Sequence, residues 1–466
     1  MRTHRSLDPS IDKVKGAALE TGSRRLKSVA TSRRSKQQNS TAVHDATATT
    51  QTATEAAAGN AKAKRRHRKH KSSDFRSFFQ LIKRRTWILP LLLTLPFLAI
   101  YAANPGVLNP AHPFIFPSYA ITITNEPSLA SSSIFGHALS GTEYGKGPRD
   151  ILFVAFYTLV ISFFREFVMH EILHPLGAFV CGLQGKRSRL ARFKEQMYTA
   201  AYTLFSSVLG VWVLRRRQQA TIISSGHEYL NGGVLSPGSV VEAIATTFST
   251  ISLYEGYPHR THDALTKTYY LLQAAFWAQQ ALVMILGLER RRKDFKELVL
   301  HHVVTVALVA LSWRFHFAVV GVLVFVTHDL SDFFLAVSKS INYTDHPAQA
   351  PSFALCITVW IYLRHYVNLN ILYSVLTDFR TVGSYVLDWE TELYKCEISN
   401  VITFVLLAAL QGLNMFWLYC LMRSAWKFVV LGIAKDDRED GEDEDEEIQA
   451  REEQREIEVG VKGKEE

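Results

Sequence analysis

The sequence predicts an all-α polytopic membrane protein, a helical bundle with about eight transmembrane helices between disordered termini. Three observations predict it. Apolar and charged residues are segregated into blocks, so a mean hydropathy of +0.03 averages over regions of opposite character. Between the charged ends lie repeated apolar runs of roughly 17–25 residues, the length a helix needs to cross about 30 Å of hydrocarbon. The short loops between those runs alternate in charge, as the positive-inside rule requires of a chain threading a bilayer.

Residues 1–85 combine Lys and Arg with a low-complexity stretch, HDATATTQTATEAAAGN, and a basic knot, KAKRRHRKHK. Such a segment buries too little apolar surface to offset its chain entropy, and it is expected to be a disordered basic cytosolic arm. No cleavable signal peptide is expected, because the arm is too long and too polar. The first span is placed at 86–103, with a lumenal loop reaching 149. The remaining spans, over 150–432, are placed at about 151–174, 198–214, 265–288, 298–313, 315–337, 352–376 and 398–422. Residues 433–466 carry DDREDGEDEDEE and form a disordered acidic cytosolic tail.

Loops 183–197 (LQGKRSRLARFKEQM) and 289–297 (ERRRKDFKE) are basic and belong on the side of the basic arm. Loop 377–397 is acidic and belongs opposite, which leaves both termini cytosolic. Arg215–Arg217 depart from this pattern at the far end of the third span. Four cysteines, Cys181, Cys356, Cys396 and Cys420, lack metal-ligand spacing and argue against a disulfide framework. Lys462 and Lys464, three and five residues from the C-terminus, resemble a dilysine-type signal for retrieval to the endoplasmic reticulum.

Ionisable groups inside a span are costly and mark function by default. The second span holds Arg165 and Glu166, then His170, Glu171 and His174 in the H-E-x-x-H order of a zinc metalloprotease. A protease needs a third acidic ligand. The nearest element, Leu387-Asp388-Trp389, is predicted on the opposite side, so the protease is the weak alternative. The fifth span opens on His301-His302, and the sixth carries His328-Asp329-Leu330-Ser331-Asp332. Asp329 and Asp332, at i and i+3, share a helix face, whereas adjacent histidines point about 100° apart. One histidine is therefore expected to face substrate while the other braces or shuttles protons. A carboxylate orienting a histidine by triad logic fits the set, and so does a metal bound by two His and two Asp. Composition does not choose between them.

The stretch from Tyr254 to Tyr343 reads YEGYPHR, then YYLLQAAFWAQQALVMILGLERRRKDFKELVLHHVVTVALVALSWRFHF, then HDLSDFFLAVSKSINY. It resembles the longevity-assurance (Lag) motif of ceramide synthases, the sphingosine N-acyltransferases built on the TLC membrane domain, and is closest to the fungal form. FFREFVM, EQMY, WIYLRHYVN, YSVLTDFR and YKCEIS agree, so the resemblance covers about 160–425. Residues 104–149 lack the homeobox-like insert of some animal members, and His328 stands where the family is not always histidine.

The resemblance implies amide formation between a sphingoid long-chain base and a fatty acyl-CoA in the endoplasmic reticulum membrane. His301, His302, Asp329 and Asp332 are then the catalytic set. Thioester aminolysis is downhill, so no metal or other cofactor is expected, acyl-CoA being a co-substrate. A buried histidine can take the amine's proton, or attack the thioester to give an acyl-imidazole; His301 is slightly favoured over His302. Arg165, Glu166, Trp277, Lys293, Lys296 and Ser331 are candidates for substrate binding. Arg290, Arg291, Arg292, Lys293 and Lys296 stand where CoA phosphates would approach, and Trp277 and Phe276 where an acyl tunnel would run. Membrane lipid, a small single-span regulatory subunit and pairing with itself or a paralogue are the partners implied; no nucleic acid is expected. A non-enzymatic TLC-domain lipid sensor is the alternative from another class, and the intact His–Asp set argues against it.

Overall fold

The computed structural model describes residues 85–122, 142–224, 250–289 and 292–431. Apart from Arg85, both predicted tails, the Lys462/Lys464 signal and Arg290–Arg291 lie outside them. The described residues belong to one compact unit, Asp74–Glu466.

The unit is helical. Helix α1 (Ile88–Ala103) and the short α2 (His112–Ile115) precede α3 (Arg149–Phe167), which continues through two π-helical segments, Val168–Leu173 and Leu176–Val180. Then follow α4 (Arg187–Ser224), α5 (Ala264–Leu286), α6 (Phe295–Arg314) and α7 (Ala318–Tyr343). Helix α8 (Gln349–Trp360) runs through a π segment, Ile361–Val367, into α9 (Asn368–Leu376). The short α10 (Asp378–Thr381) and the long α11 (Glu397–Leu431) complete the order. Among the described residues six helices are long and apolar enough to cross a membrane: Arg149–Val180, Arg187–Arg217, Ala264–Leu286, Phe295–Arg314, Ala318–Tyr343 and Glu397–Leu431. Ile88–Ala103 is a shorter apolar helix, and 349–376 is a continuous helical rod.

Local chemistry sets the helix ends. Asp263 caps α5 by accepting from the Thr266 amide, and Gly287 ends it in the left-handed conformation (φ 61°) that glycine adopts without strain. Two spans outrun their expected bounds. The second passes Pro175, because π-helical turns on either side take up the disrupted hydrogen bonding. The third continues to Ser224, so Arg215–Arg217 ride on an extended helix instead of following its end.

Helix α7 is the centre of the bundle, with Val319, Val322, Leu323, Phe325 and Val326 all buried, and it packs against α4, α6 and α8. Gly210 on α4 makes this close approach possible. A Cβ there would stand 2.5 Å from both the Tyr269 hydroxyl and Val326 Cγ2. Helix α11 closes the bundle against α6 and α9.

The loops sort to two ends. At one, Arg85 pairs with Glu171, and Arg189 pairs with Asp345, so the start of α1 and the basic loop before α4 share that end. At the other, β1 (Ala120–Thr122), β2 (Thr142–Tyr144) and β3 (His262–Asp263) form an antiparallel sheet, with Ile121 opposite Glu143 and Glu143 opposite Asp263. Lys267, fully buried, staples this region: its ammonium lies 2.7 Å from Asp150 and donates to the Ser118 and Gly145 carbonyls. The acidic loop after α10 reaches the same end, where Arg260 pairs with Glu392.

Candidate functional site

Five elements bring polar side chains to one place inside the bundle. Helix α6 supplies His301 and His302, α7 supplies Asp329 and Asp332, and α5 supplies Gln273 and Trp277. The π segment 361–367 supplies Arg364, and α11 supplies Asn414 and Trp417. His301, His302, Asp329, Asp332, Trp277, Arg364 and Trp417 all border one polar cavity of about 240 Å³. Arg192, Glu289 and Arg292 line it toward the end where the basic loops lie.

The two histidines are held differently. His302 Nδ1 is 2.8 Å from the Leu298 carbonyl, one turn back, which places its proton on Nδ1 and leaves the Nε2 lone pair available. His301 stands edge-on between Trp277 (ring centroids 5.4 Å apart) and Trp417 (5.2 Å), and its buried Nδ1 has no hydrogen-bond partner among the described residues. Both rings reach the polar cavity, although adjacent positions on a helix were expected to send only one toward substrate.

Among the described residues no carboxylate braces either ring at Nδ1. Asp329 Oδ2 accepts from Ser206 Oγ and from Gln273 Nε2, each at 2.5 Å, and Tyr202 anchors Gln273 by donating to its carbonyl at 2.9 Å. Asp332 Oδ1 is 2.6 Å from Arg364 Nη2. The i, i+3 spacing does bring both aspartates to the cavity, but Asp329 engages α4 and α5 while Asp332 engages the 361–367 segment.

Arg364, 3% exposed, organises this side. Besides Asp332 it donates from Nε to Ser331 Oγ (2.6 Å), from Nη1 to Asn414 Oδ1 (3.1 Å) and from Nη2 to the His328 carbonyl (3.2 Å). Its guanidinium also lies 4.1 Å from the centroid of the Trp360 ring. Arg364 sits within WIYLRHYVN, where the expense of an intramembrane cation was the usable signal for a role beyond the family resemblance. Gln273, Ser206 and Asn414 are uncharged and carried no such signal.

A second cavity, about 230 Å³ and walled mainly by apolar side chains, runs from His301 past Thr305, Leu308 and Val324 to Trp389 and Tyr394 at the opposite end of the bundle. Among the described residues three border both cavities: Trp277, His301 and Arg364.

The other sequence candidates lie elsewhere. Ser331 is buried behind the wall, where it donates to the His328 carbonyl and accepts from Arg364. Arg165, 3% exposed, pairs with Glu166 and with Glu289 and borders neither cavity; its effect on the mouth passes through Glu289. Glu166 accepts from Thr86 Oγ1 and also stays outside both cavities. Lys293 and Lys296 are exposed, near the mouth but not in its wall. Arg292 is in the wall, paired with Asp294, which also accepts from the Trp417 indole. In the H-E-x-x-H stretch His170 and His174 are exposed, and Glu171 accepts from Arg85 and from the Trp87 indole, both at 3.0 Å, securing the start of α1. No group of three or more metal-ligating side chains occurs among the described residues.

The TLC domain family matches residues 192–423, the stretch that contributes every wall of both cavities. The chain is 45% identical over 361 residues to the sphingosine N-acyltransferase-like protein FUM17 of Gibberella moniliformis, covering 77% of this chain and 84% of that one. It is 39% identical to the sphingosine N-acyltransferase lac1 of Schizosaccharomyces pombe, covering 78% and 83%. It is 36% identical to the ceramide synthase LAG1 of Saccharomyces cerevisiae, covering 79% of each. Identity at this level over most of both chains, together with a bundle of membrane-crossing helices, leads to one assignment: the chain is a multi-pass membrane protein of the sphingosine N-acyltransferase (Lag) family of TLC-domain proteins.

Proposed function

We propose that the protein is a ceramide synthase, transferring a fatty acyl group from acyl-CoA to the amine of a dihydrosphingosine- or phytosphingosine-type base. The observation that carries this reading is that His301 borders both an apolar and a polar cavity. An acyl-CoA has the same division, a hydrocarbon chain and a charged head joined at the thioester. Laid across the junction, its chain fills the apolar cavity and its CoA emerges through the polar mouth beside Arg292, at the end that carries the basic loops.

His301, at the junction, attacks the thioester carbonyl. The C–S bond breaks, CoA thiolate leaves, and the acyl group rests on the imidazole. His302, its lone pair on Nε2, takes the proton of the attacking amine as the amide C–N bond forms and the His301 imidazole departs. Asp329 and Asp332 line the polar cavity where the free amine of the base enters, each held by its own partners. By the positive-inside rule the mouth faces the cytosol, where acyl-CoA is dissolved. This reading places the protein in the endoplasmic reticulum with cytosolic termini. It also includes the regulatory subunit and dimerisation as partners.

The test is incubation of detergent-purified protein with dihydrosphingosine and acyl-CoAs of several lengths. N-acyl product is expected with at least one donor, and His301→Ala and His302→Ala each lower turnover by about 10²–10⁴-fold. Monodisperse protein that forms no product with any donor refutes the proposal.

A further inference from the structure

One wall of the polar cavity takes no part in the proposed chemistry. On α4, Gln196, Thr199 and Thr203 line it at i, i+3 and i+7; on α5, Trp277, Gln280 and Met284 do so at the same spacing. Each set is a single helical stripe. The outward stripes carry Leu204, Phe205, Leu282 and Ile285, apolar and exposed as lipid-facing positions are. Both glutamines therefore project inward. Neither Gln196 nor Gln280 has a hydrogen-bond partner among the described residues, and neither amide is sealed from solvent. Their neighbours are different: Gln279 Oε1 is sealed off, and the Gln273 amide is spent on Asp329, Ser206 and Tyr202.

Contacts between α4 and α5 set the level of each residue. Tyr202 stacks on Phe276, with ring centroids 3.6 Å apart, and donates to Gln273 at 2.9 Å, while Ser206 accepts from Gln273 at 2.5 Å. The two helices thus run in opposite directions. One turn toward the mouth Thr199 comes level with Gln280, and Gln196 follows a further turn out. At 1.5 Å per residue Gln280 lies about 4.5 Å beyond Trp277, whose ring flanks His301, and Gln196 lies about 4.5 Å beyond Thr199.

Acyl-CoA carries groups at a matching spacing. Resting on the ceramide synthase reading above, its thioester lies at His301 and its CoA leaves past Arg292. Between them runs the pantetheine arm. By ordinary bond lengths its first amide nitrogen is about 4 Å from the sulfur and its second about 5 Å further on. A primary amide complements such a group fully, giving its N–H to the carbonyl and accepting the amide N–H on its own oxygen. We infer that Gln280 and Gln196 read the pantetheine arm, Gln280 pairing with the amide nearer the thioester and Gln196 with the farther one. Thr199 adds an acceptor at the inner level, because its hydroxyl already donates to the Glu195 carbonyl at 3.0 Å. Holding the arm at two levels fixes how deep the thioester sits against His301.

The test compares three unreactive thioethers with the same hexadecyl chain: S-hexadecyl-CoA, S-hexadecyl-pantetheine and S-hexadecyl-N-acetylcysteamine, the last keeping only the inner amide. Their Kd values are measured on purified wild type, Gln196→Met and Gln280→Met, substitutions that keep length and remove the amide. Wild type should bind the pantetheine thioether about tenfold tighter than the N-acetylcysteamine one, the contribution of one amide pair. Gln196→Met should abolish that ratio by weakening only the CoA and pantetheine thioethers. Gln280→Met should weaken all three by a common factor and keep the ratio, which a general loss of fold would not do. Equal wild-type affinity for the two short thioethers overturns the inference. So does a Gln196→Met protein that loses all three alike. Variants that bind every thioether as wild type does but raise the KM for dihydrosphingosine assign the glutamines to the other substrate and also overturn it. Wild type that forms no amide with any acyl-CoA overturns the functional reading instead, and the binding ratios, which need no turnover, tell the two failures apart.

Discussion

Arg364→Met removes a side chain that ties α7, the 361–367 segment and α11 together at the site. Two contributions set the magnitude. The bonds to Ser331, Asn414 and the His328 carbonyl are polar contacts within a membrane bundle, which average near 0.6 kcal/mol each, so together they contribute about 2 kcal/mol. Stripping the partner from a buried carboxylate costs about 3–5 kcal/mol. Asp332 retains 29% side-chain exposure and can recover part of that from water, so the charge effect is about 2 kcal/mol. The expected total is about 4 kcal/mol, a fall of roughly 5 °C in the apparent unfolding midpoint for a unit of this size. The midpoint is read in detergent as the fraction remaining monodisperse after stepped heating. The decisive comparison is a double-mutant cycle with Asp332→Asn. Because much of the loss comes from the stranded carboxylate, the double variant should be at least as stable as Arg364→Met alone. Strictly additive losses would show that the 2.6 Å contact between Arg364 and Asp332 carries no coupling, and would refute the account of Arg364 as the organiser of this wall.

Three further outcomes are expected. Gln273→Leu leaves Asp329 with Ser206 as a donor but removes the amide, destabilising by about 1–3 kcal/mol in the same heating assay, whereas Gln273→Glu should be worse because it faces Asp329 with a second carboxylate. Gly210→Val drives its side chain into the Tyr269 hydroxyl and Val326, costing about 1–3 kcal/mol and disturbing the Tyr269–Gln273 contact; a variant as stable as the parent would deny that α4 and α7 need this close approach. At the end remote from the polar mouth, burial pushes His259 down to about 3 and His316 down to about 4 from the ordinary 6.5, and His262 well below it. Folded pKa values below the unfolded ones mean the unfolded chain binds protons first, so the stabilisation is whole above pH 6.5 and is lost as pH falls toward 4 and 3. The unfolding midpoint should therefore decline across that window, and His259→Gln with His316→Gln should flatten the decline; an unchanged slope in the double variant would remove these rings as its source.

Much of the fold was legible because lipid restricts the options. A span must be helical, long and apolar, and hydropathy reads all three directly. The eight expected runs correspond to the six long apolar helices, α1 and the 349–376 rod. Helix ends were less legible. Pro175 and Arg215–Arg217 look like stops, yet π-helical turns and a helix extended beyond the apolar run carry the chain past both. The site was half legible. His301, His302, Asp329 and Asp332 are conspicuous as ionisable groups in apolar runs, and all four border one cavity. The partner of each was not, since Asp329 selects Gln273 at a sequence separation of 56 and Asp332 selects Arg364 at a separation of 32.

The sequence by itself determined the class of molecule, the membrane helices and the residues with chemistry to offer, because these follow from transfer energies and helical spacing that act locally along the chain. It could not determine that His302 is braced by its own helix while His301 is wedged between two tryptophans. Nor could it show that Trp277, His301 and Arg364 border both an apolar and a polar cavity. Those facts depend on how helices distant in sequence rotate against one another in the packed bundle. Only the tertiary structure sets that rotation, since it is the packing of side chains such as Gly210, Tyr269 and Val326 that admits one arrangement and excludes its neighbours.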